Sequence, residues 1–123
     1  MMAKILIVED DHNLGLMIQD ILEFKGYDII LSRRPENTIQ DIIENDVDLV
    51  LLDKLIYGVD GTDVCKKIRN TKATANIPVL MMSALHDARK ICLKAGATDF
   101  IYKPFEMKIF QDKVQELLEE IKV

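Results

Sequence analysis

Short apolar runs alternate along the chain with segments in which apolar residues recur every three or four positions. The runs have the length of β-strands, and the recurring segments have the period of amphipathic helices. The strand candidates are residues 4–8, 27–31, 47–52, 77–82 and 100–102. A helix candidate follows each of them, so the pattern predicts five strands and five helices in strict alternation.

The helix candidates carry apolar stripes and recognisable end signals. Gly26 suits the left-handed position after a first helix, and Pro35 suits the first turn of a second. The stripes expected to face the core are Leu14, Ile18, Ile21 and Leu22; Ile39, Ile42 and Ile43; Val64, Cys65 and Ile68; Ala88, Ile91, Cys92 and Ala95, before Gly96; and Phe110, Val114, Leu117, Leu118 and Ile121.

The predicted fold class is α/β. The strand candidates are almost continuously apolar. Such strands are typical of a parallel sheet that is covered by helices on both faces. Alternation with right-handed crossovers then gives a three-layer, doubly wound (βα)5 domain with a five-stranded parallel sheet. For its strands we expect the flavodoxin-like order 2-1-3-4-5, one of the common doubly wound orders. The length of 123 residues fits a single domain over residues 1–123 and leaves little room for a second.

Composition narrows the class of protein. The chain is 49% hydrophobic and 30% charged, as a folded domain is, and its net charge of -5 without a Lys/Arg run argues against direct nucleic-acid or membrane binding. Cys65 and Cys92 have no ligand neighbours at metal-binding spacing, so we expect reduced packing residues. No segment resembles a signal peptide or a membrane span, and a cytoplasmic location is expected.

Polar residues stand at the carboxyl ends of the predicted strands, where open parallel sheets bind ligands. Glu9 and Asp10 follow the first strand, Asp53 the third, Ser83 the fourth and Lys103 the fifth. Any single one could be a helix cap, but several carboxylates at one edge repel each other unless a cation is bound. Oxygen ligands without His or Cys favour Mg²⁺ or Mn²⁺, and one Lys beside them suits a phosphoryl group carried on an Asp.

These landmarks resemble the receiver domains of bacterial two-component response regulators. The matching stretches run from Ile5 to Asp11, from Leu49 to Asp53, from Val79 to Ala84 and from Phe100 to Phe105, in order and over essentially the whole chain. The resemblance implies that Asp53 accepts phosphoryl from a phosphohistidine. It also implies Mg²⁺ bound by Asp10, by Asp53 and by the backbone carbonyl of Leu55, with Glu9 acting through a water.

The resemblance assigns further roles around the acceptor. Lys103 would pair with the phosphoryl group, across a cis peptide bond to Pro104. Ser83 would move toward a phosphoryl oxygen, and Phe100 would turn inward to fill the space left behind, switching the face made by the fourth helix, fifth strand and fifth helix. Asp11 is expected to be peripheral.

The same resemblance implies the partners. The phosphoryl donor would be a histidine kinase or a histidine phosphotransfer protein. The output would be a downstream protein target, an output domain cut from a larger regulator, or a phosphorylation-dependent homodimer. The sequence leaves open whether the domain stands alone.

The chain departs from the family pattern in two places. Tyr57 stands where Pro is usual, followed by Gly58, so the loop after Asp53 is expected to be more mobile or differently shaped. The segment between Ser83 and Phe100 is about two residues shorter than usual. Leu55 and Leu85 cannot orient a hydrolytic water, so we expect the phosphorylated Asp53 to lose its phosphate slowly.

The two histidines have no part in the predicted site. His12 is expected at the surface, and His86 has no assigned role.

Other functions fit less well. Glu-Asp-Asp after the first strand would repel a flavin phosphate, and nucleotide-binding fingerprints are absent. A phosphatase with an Asp nucleophile would usually want a second Asp where Leu55 stands. The remaining alternative is a receiver fold that binds proteins without phosphorylation.

Overall fold

The computed structural model describes residues 2–32 and 34–120. Seven strands and five helices follow one another along the chain. The strands are β1 (Lys4–Val8), β2 (Asp28–Ser32), β3 (Leu49–Asp53), β4 (Leu55–Ile56), β5 (Val59–Asp60), β6 (Val79–Ser83) and β7 (Asp99–Tyr102); the helices are α1 (His12–Phe24), α2 (Thr38–Asn45), α3 (Gly61–Asn70), α4 (Ala88–Lys94) and α5 (Met107–Glu120).

The five longer strands form one parallel sheet in the order β2-β1-β3-β6-β7. This order confirms the predicted 2-1-3-4-5 arrangement. Successive residues of a strand point to opposite faces, so Leu6 and Val8 pack with α2, α3 and α4, whereas Ile5 and Ile7 pack with α1 and α5. The sheet is therefore the middle of three layers, and its three central strands, β1, β3 and β6, are buried on both sides.

Local signals explain where the first two helices begin and end. The carboxylate of Asp11 accepts a hydrogen bond from the Leu14 N–H at 3.1 Å and caps α1. Gly26, just after that helix, has a φ of 93°, which a residue with a Cβ rarely adopts. Pro35 begins a 3₁₀ turn that leads into α2.

Two residues of the predicted inner stripes point outward instead. Ile43 of α2 is 50% exposed and Ile91 of α4 is 48% exposed. In α2 the buried Thr38 and Ile42, four residues apart, form the inner face. In α4 the inner side is filled by Ala88 and Cys92. Both helices therefore carry more apolar residues than their inner faces can bury. Ile121, which was assigned to the stripe of the last helix, lies outside the described residues.

The segment after Asp53, expected to be an irregular loop, contains a small antiparallel hairpin. Strands β4 and β5 pair Leu55 with Asp60 and Ile56 with Val59. The two residues between them, Tyr57 and Gly58, have φ values of 49° and 78°. Positive φ at both central positions matches the twist that two-residue hairpins prefer, and it explains why Pro, with its negative φ, does not stand at position 57.

Arg69 of α3 joins that helix to the loops beside it. Its guanidinium donates to the carbonyl oxygens of Gly96 at 2.8 Å and Ile77 at 2.6 Å. It also reaches Ala75 at 3.3 Å and the Thr98 hydroxyl at 3.2 Å. Four acceptors on two loops therefore depend on one side chain.

Replacing Arg69 with Met should lower the free energy of unfolding by about 2–3 kcal/mol, because carbonyls bonded to a charged donor lose that partner. Urea unfolding would measure the loss, with the exposed Lys67→Met on the same helix as the control expected to change it by less than about 0.5 kcal/mol. Equal effects of the two substitutions would show that the bonds of Arg69 contribute little.

Candidate functional site

The carboxyl ends of β1, β3, β6 and β7 meet at one edge of the sheet. Glu9 follows β1, Asp53 ends β3, Ser83 ends β6 and Lys103 follows β7. Because these strands are parallel and adjacent, residues far apart in sequence come together at this edge. The edge is therefore the place where polar chemistry collects in this domain.

Three carboxylates form an acidic cluster there. One oxygen from each of Glu9, Asp10 and Asp53 lies within 4.8 Å of the other two. Glu9 is 1% exposed and Asp53 is 7% exposed, whereas Asp10 is half-buried. Asp11 caps α1 as described above. An all-oxygen cluster of this size is suited to a hard divalent cation.

Lys103 provides the positive charge of the cluster. Its Nζ lies 2.9 Å from Asp53 Oδ1 and 3.1 Å from Glu9 Oε2. Burial works to lower the pKa of Lys103, but hydrogen bonds and opposite charge from Asp53 and Glu9 outweigh it, so that pKa is raised. The ammonium therefore stays charged. The peptide bond between Lys103 and Pro104 is cis.

Glu9 is held in an environment that disfavours its charge. Burial, and then the neighbouring Asp53 carboxylate, raise the pKa of Glu9 to about 7, against the opposing effects of Lys103 and the Asp11 N–H. The Asp11 N–H donates to Glu9 Oε1 at 3.1 Å. Within the described residues, one ammonium thus faces three clustered carboxylates, and the excess of negative charge remains.

Ser83 ends β6, which pairs with β3, and Phe100 lies on β7, which pairs with β6. The Ser83 hydroxyl is buried and accepts a hydrogen bond from the Leu85 N–H at 3.0 Å. Phe100 is 1% exposed and points inward, and its ring meets that of Tyr102 edge-on with centroids 4.7 Å apart. Tyr102 itself is 44% exposed.

The β4–β5 hairpin borders the cluster. The Tyr57 N–H at its tip donates to Asp10 Oδ2 at 2.8 Å. At its base the Lys54 ammonium lies 3.6 Å from Asp60 Oδ1, and Asp60 caps α3. Sequence reasoning missed both contacts. The Gly58 after Tyr57 was a signal for a two-residue turn, but no sequence pattern indicated which carboxylate the turn would meet.

The segment between Ser83 and Phe100, which sequence analysis expects to be short, contains a late and short fourth helix. Helix α4 begins only at Ala88 and has seven residues, and Asp87 before it has a φ of 67° with no side-chain cap. His86 in this loop is exposed, with Nε2 3.5 Å from Asp87 Oδ1. His12 is the exposed first residue of α1.

Comparison with known proteins places this chain and its fold in a family. Residues 5–115 match the sequence model of the response regulator receiver domain. The chain belongs to this family. Receiver domains are signalling modules of two-component phosphorelays, interact with histidine kinases and output domains, and are not turnover enzymes on an external substrate.

Individual relatives agree with this assignment. Response regulator ArlR of Staphylococcus saprophyticus is 32% identical over 119 residues, covering 95% of this receiver domain and 53% of ArlR. A two-component response regulator from Clostridium difficile is 30% identical, with a TM-score of 0.89 over 98% of this chain and 99% of that one. The chain spans about half the length of the curated relatives it matches.

One solved relative contains a metal ion. The receiver domain of the sensor histidine kinase PA1611 from Pseudomonas aeruginosa has magnesium coordinated in its active site cleft. It is 26% identical, with a TM-score of 0.87 over 97% of this chain and 99% of that one.

Within the described part of the present receiver domain, no helix is both long and apolar enough to cross a membrane.

Proposed function

We propose that this receiver domain accepts a phosphoryl group on Asp53 from a phosphohistidine, with Mg²⁺ as the cofactor. The observation that carries the proposal is the position of Asp53: its carboxylate lies 2.9 Å from the Lys103 ammonium and within 4.8 Å of two further carboxylates. One nucleophile, one cation and an oxygen-rich cluster are what phosphoryl transfer to a carboxylate requires.

The chemical step follows from these residues. A carboxylate oxygen of Asp53 attacks phosphorus, the phosphorus–nitrogen bond to the donor imidazole breaks, and the imidazole leaves with the electron pair. Lys103 is placed to contact the phosphoryl oxygens, because its Nζ already bonds the acceptor. The Lys54 N–H donates to Asp53 Oδ1 at 3.0 Å and holds the carboxylate in position.

The cluster fits a magnesium ion. Its donors are carboxylate oxygens, and we assign direct binding to Asp10 and Asp53, a water-mediated contact to Glu9, and one further ligand to the backbone carbonyl of Leu55. Bound there, Mg²⁺ or Mn²⁺ would neutralise carboxylate and phosphoryl charge. The hydrogen bond from Tyr57 N–H orients Asp10 through Oδ2.

We assign the response to Ser83 and Phe100. In this structure the Ser83 hydroxyl accepts from Leu85 N–H, and it would leave that partner to donate to a phosphoryl oxygen. Phe100 is already buried in this structure, on β7 beside β6. The new partner of Ser83 and the accompanying adjustment of Phe100 would change the surface formed by α4, β7 and α5. A histidine kinase or phosphotransfer protein would donate the phosphoryl group. The changed surface would then contact an output domain, a downstream target protein or a second copy of the chain.

Acetyl phosphate tests the proposal without knowledge of the kinase. Incubated with Mg²⁺, the protein should gain one phosphoryl group that maps to Asp53, and Mn²⁺ should substitute. Chelation of the metal should prevent the modification. Beryllium fluoride, a mimic of the phosphoryl group, should also bind, and fluorine NMR would detect that complex. If neither the adduct nor the complex forms, the result would favour a domain that binds proteins without phosphorylation.

The phosphorylated state should be long-lived. Leu55, two residues after the acceptor, is 56% exposed and offers no hydrogen bond to an attacking water. Leu55→Asn would supply an amide there and should speed dephosphorylation by up to about tenfold, through better positioning of the water. Loss of radiolabelled phosphate would measure the rate. Leu55→Met is the apolar control; unchanged hydrolysis in both variants would contradict the prediction.

A further inference from the structure

The β4–β5 hairpin holds the one carboxylate of the acidic cluster that the core does not bury. Glu9 and Asp53 are 1% and 7% exposed, so packing fixes their side chains, whereas Asp10 is only half-buried. Asp10 Oδ2 accepts a hydrogen bond from the Tyr57 N–H at 2.8 Å. Within residues 2–32 and 34–120 this is the only hydrogen bond to the Asp10 carboxylate, so the hairpin determines how that side chain is oriented.

The Tyr57 N–H reaches Asp10 because the turn has a left-handed backbone. Tyr57 and Gly58 have φ values of 49° and 78°, and they form the two-residue turn between β4 and β5. Ile56, just before the turn, is fully buried and fixes the hairpin to the core. The Tyr57 side chain is 59% exposed. Position 57 therefore contributes to the site through its backbone rather than through its ring.

The base of the hairpin is also held in place. The Lys54 ammonium lies 3.6 Å from Asp60 Oδ1, and the same oxygen accepts hydrogen bonds from the Thr62 N–H at 2.9 Å and hydroxyl at 2.8 Å. Leu55, whose carbonyl we assign to the metal, stands between this base and the turn. The hairpin thus supplies two groups to the proposed metal site, one directly and one by way of Asp10.

A carboxylate held in one orientation affects divalent ions differently. Mg²⁺ requires near-ideal octahedral geometry, whereas Ca²⁺ accepts more oxygen ligands in variable geometry and takes carboxylates through one or both oxygens. Because Asp10 Oδ2 already accepts the bond from Tyr57, binding through both Asp10 oxygens would disturb that bond. A ligand ordered in advance also benefits most the ion whose geometry is strictest. Both effects favour Mg²⁺.

We propose that the turn formed by Tyr57 and Gly58 determines the metal specificity of this site, with the Tyr57 N–H holding Asp10 in the orientation that favours Mg²⁺ over Ca²⁺. A hydrogen bond to a metal ligand typically contributes about tenfold or more to metal affinity. The inference rests on the proposed metal site, and it assigns the choice of ion to a backbone group. Tyr57 is a positioning residue, since it acts through Asp10.

The test compares two dissociation constants in the full chain. Titrations with Mg²⁺ alone and with Ca²⁺ alone, followed by amide NMR, give a Kd for each ion and the ratio of the Ca²⁺ value to the Mg²⁺ value. Tyr57→Pro removes the N–H and imposes a negative φ. We expect it to raise the Kd for Mg²⁺ by about tenfold or more, and that for Ca²⁺ by less, so that the ratio falls at least severalfold.

A second variant removes the N–H without changing the side chain. The hydroxy acid analogue of tyrosine, incorporated at position 57, replaces this N–H by an ester oxygen. It should lower the ratio in the same direction as Tyr57→Pro, even if Pro also disturbs the hairpin. Tyr57→Asn is the matched control, because Asn keeps the N–H and adopts left-handed conformations readily. Both constants should stay within about twofold in that control.

Gly58 tests the backbone conformation separately from the donor. A Cβ at this position would meet no atom within 4 Å, so Gly58→Ala mainly disfavours the positive φ. It should lower the ratio severalfold, and Gly58→Asn should lower it less. Urea unfolding of each variant provides the comparison with stability, because a purely structural role would reduce stability without changing the preference between the two ions.

Three results would overturn the inference: an unchanged ratio in the ester protein, an equal fall of the ratio in Tyr57→Asn, or an original protein that does not prefer Mg²⁺. The outcome for the proposed function is separate. If the original protein bound no Mg²⁺ at the cluster, the proposed cofactor would be wrong as well. If it bound Mg²⁺ and was labelled by acetyl phosphate while the ratio stayed constant in the variants, only the role of the turn would be wrong.

Discussion

Asp53→Asn should abolish phosphorylation by acetyl phosphate. The amide preserves the shape of the side chain and can still accept the hydrogen bond that the Lys54 N–H makes to Asp53 Oδ1 at 3.0 Å. It loses the anionic oxygen that attacks phosphorus and the charge that holds Lys103 at 2.9 Å. Intact-mass measurement over a time course should show no adduct.

The chain offers a close control for this substitution. Asp11 is another acidic residue, in the turn between β1 and α1, and its carboxylate caps α1. Because Asn caps a helix as well as Asp does, Asp11→Asn should leave both the fold and the phosphorylation rate within about twofold of the original. Full labelling of the Asp53→Asn protein would mean that another residue is the acceptor.

Gly61→Ala should be the most damaging small substitution near the site. A Cβ at this position would overlap the backbone carbonyl oxygen of Asp53 and would lie 3.0 Å from Lys54 Cα. Both obstacles are backbone, so no side-chain rotation relieves them. The Gly61 N–H also donates to the Lys54 carbonyl at 2.5 Å, which fixes the start of α3 against the end of β3.

We expect Gly61→Ala to lower the free energy of unfolding by about 3 kcal/mol or more, because the backbone must shift to remove the overlap. The same shift displaces Asp53, so phosphorylation should slow by at least about tenfold. Urea unfolding and labelling rates measured on one preparation would test both effects.

Gly15→Ala provides the comparison. Its Cβ would meet Leu31 Cδ1 at 3.2 Å, which is the end of a flexible side chain, and Ala is the better helix former. Stability should therefore change by no more than about 1 kcal/mol. If the two alanine variants were equally stable, the close approach at Gly61 would not constrain the site.

The site could be predicted from sequence because it depends on topology more than on detail. Once β1, β3 and β7 are parallel strands of one sheet, Glu9, Asp53 and Lys103 must meet at its edge. The positions of the strands were visible as apolar runs, and one or two residues of error at their ends did not alter this result.

What could not be predicted depends on packing between distant segments. The bond from Tyr57 N–H to Asp10 joins residues 47 positions apart and requires a positive φ at Tyr57. Ile43 and Ile91 follow the helical period well enough to be counted as core, yet the inner faces of their helices were already filled.

Asp53, the proposed acceptor, belongs to the middle strand of the sheet, and this has a consequence for how the domain fluctuates. Strand β3 is bonded to β1 on one side and β6 on the other, and all five of its residues are buried. Amide protons in such a strand exchange with solvent only when most of the domain opens. We therefore expect the proposed phosphorylation site to lie in the slowest-exchanging part of the described domain, whereas the short helix α4 and the two-residue strands β4 and β5 should exchange sooner.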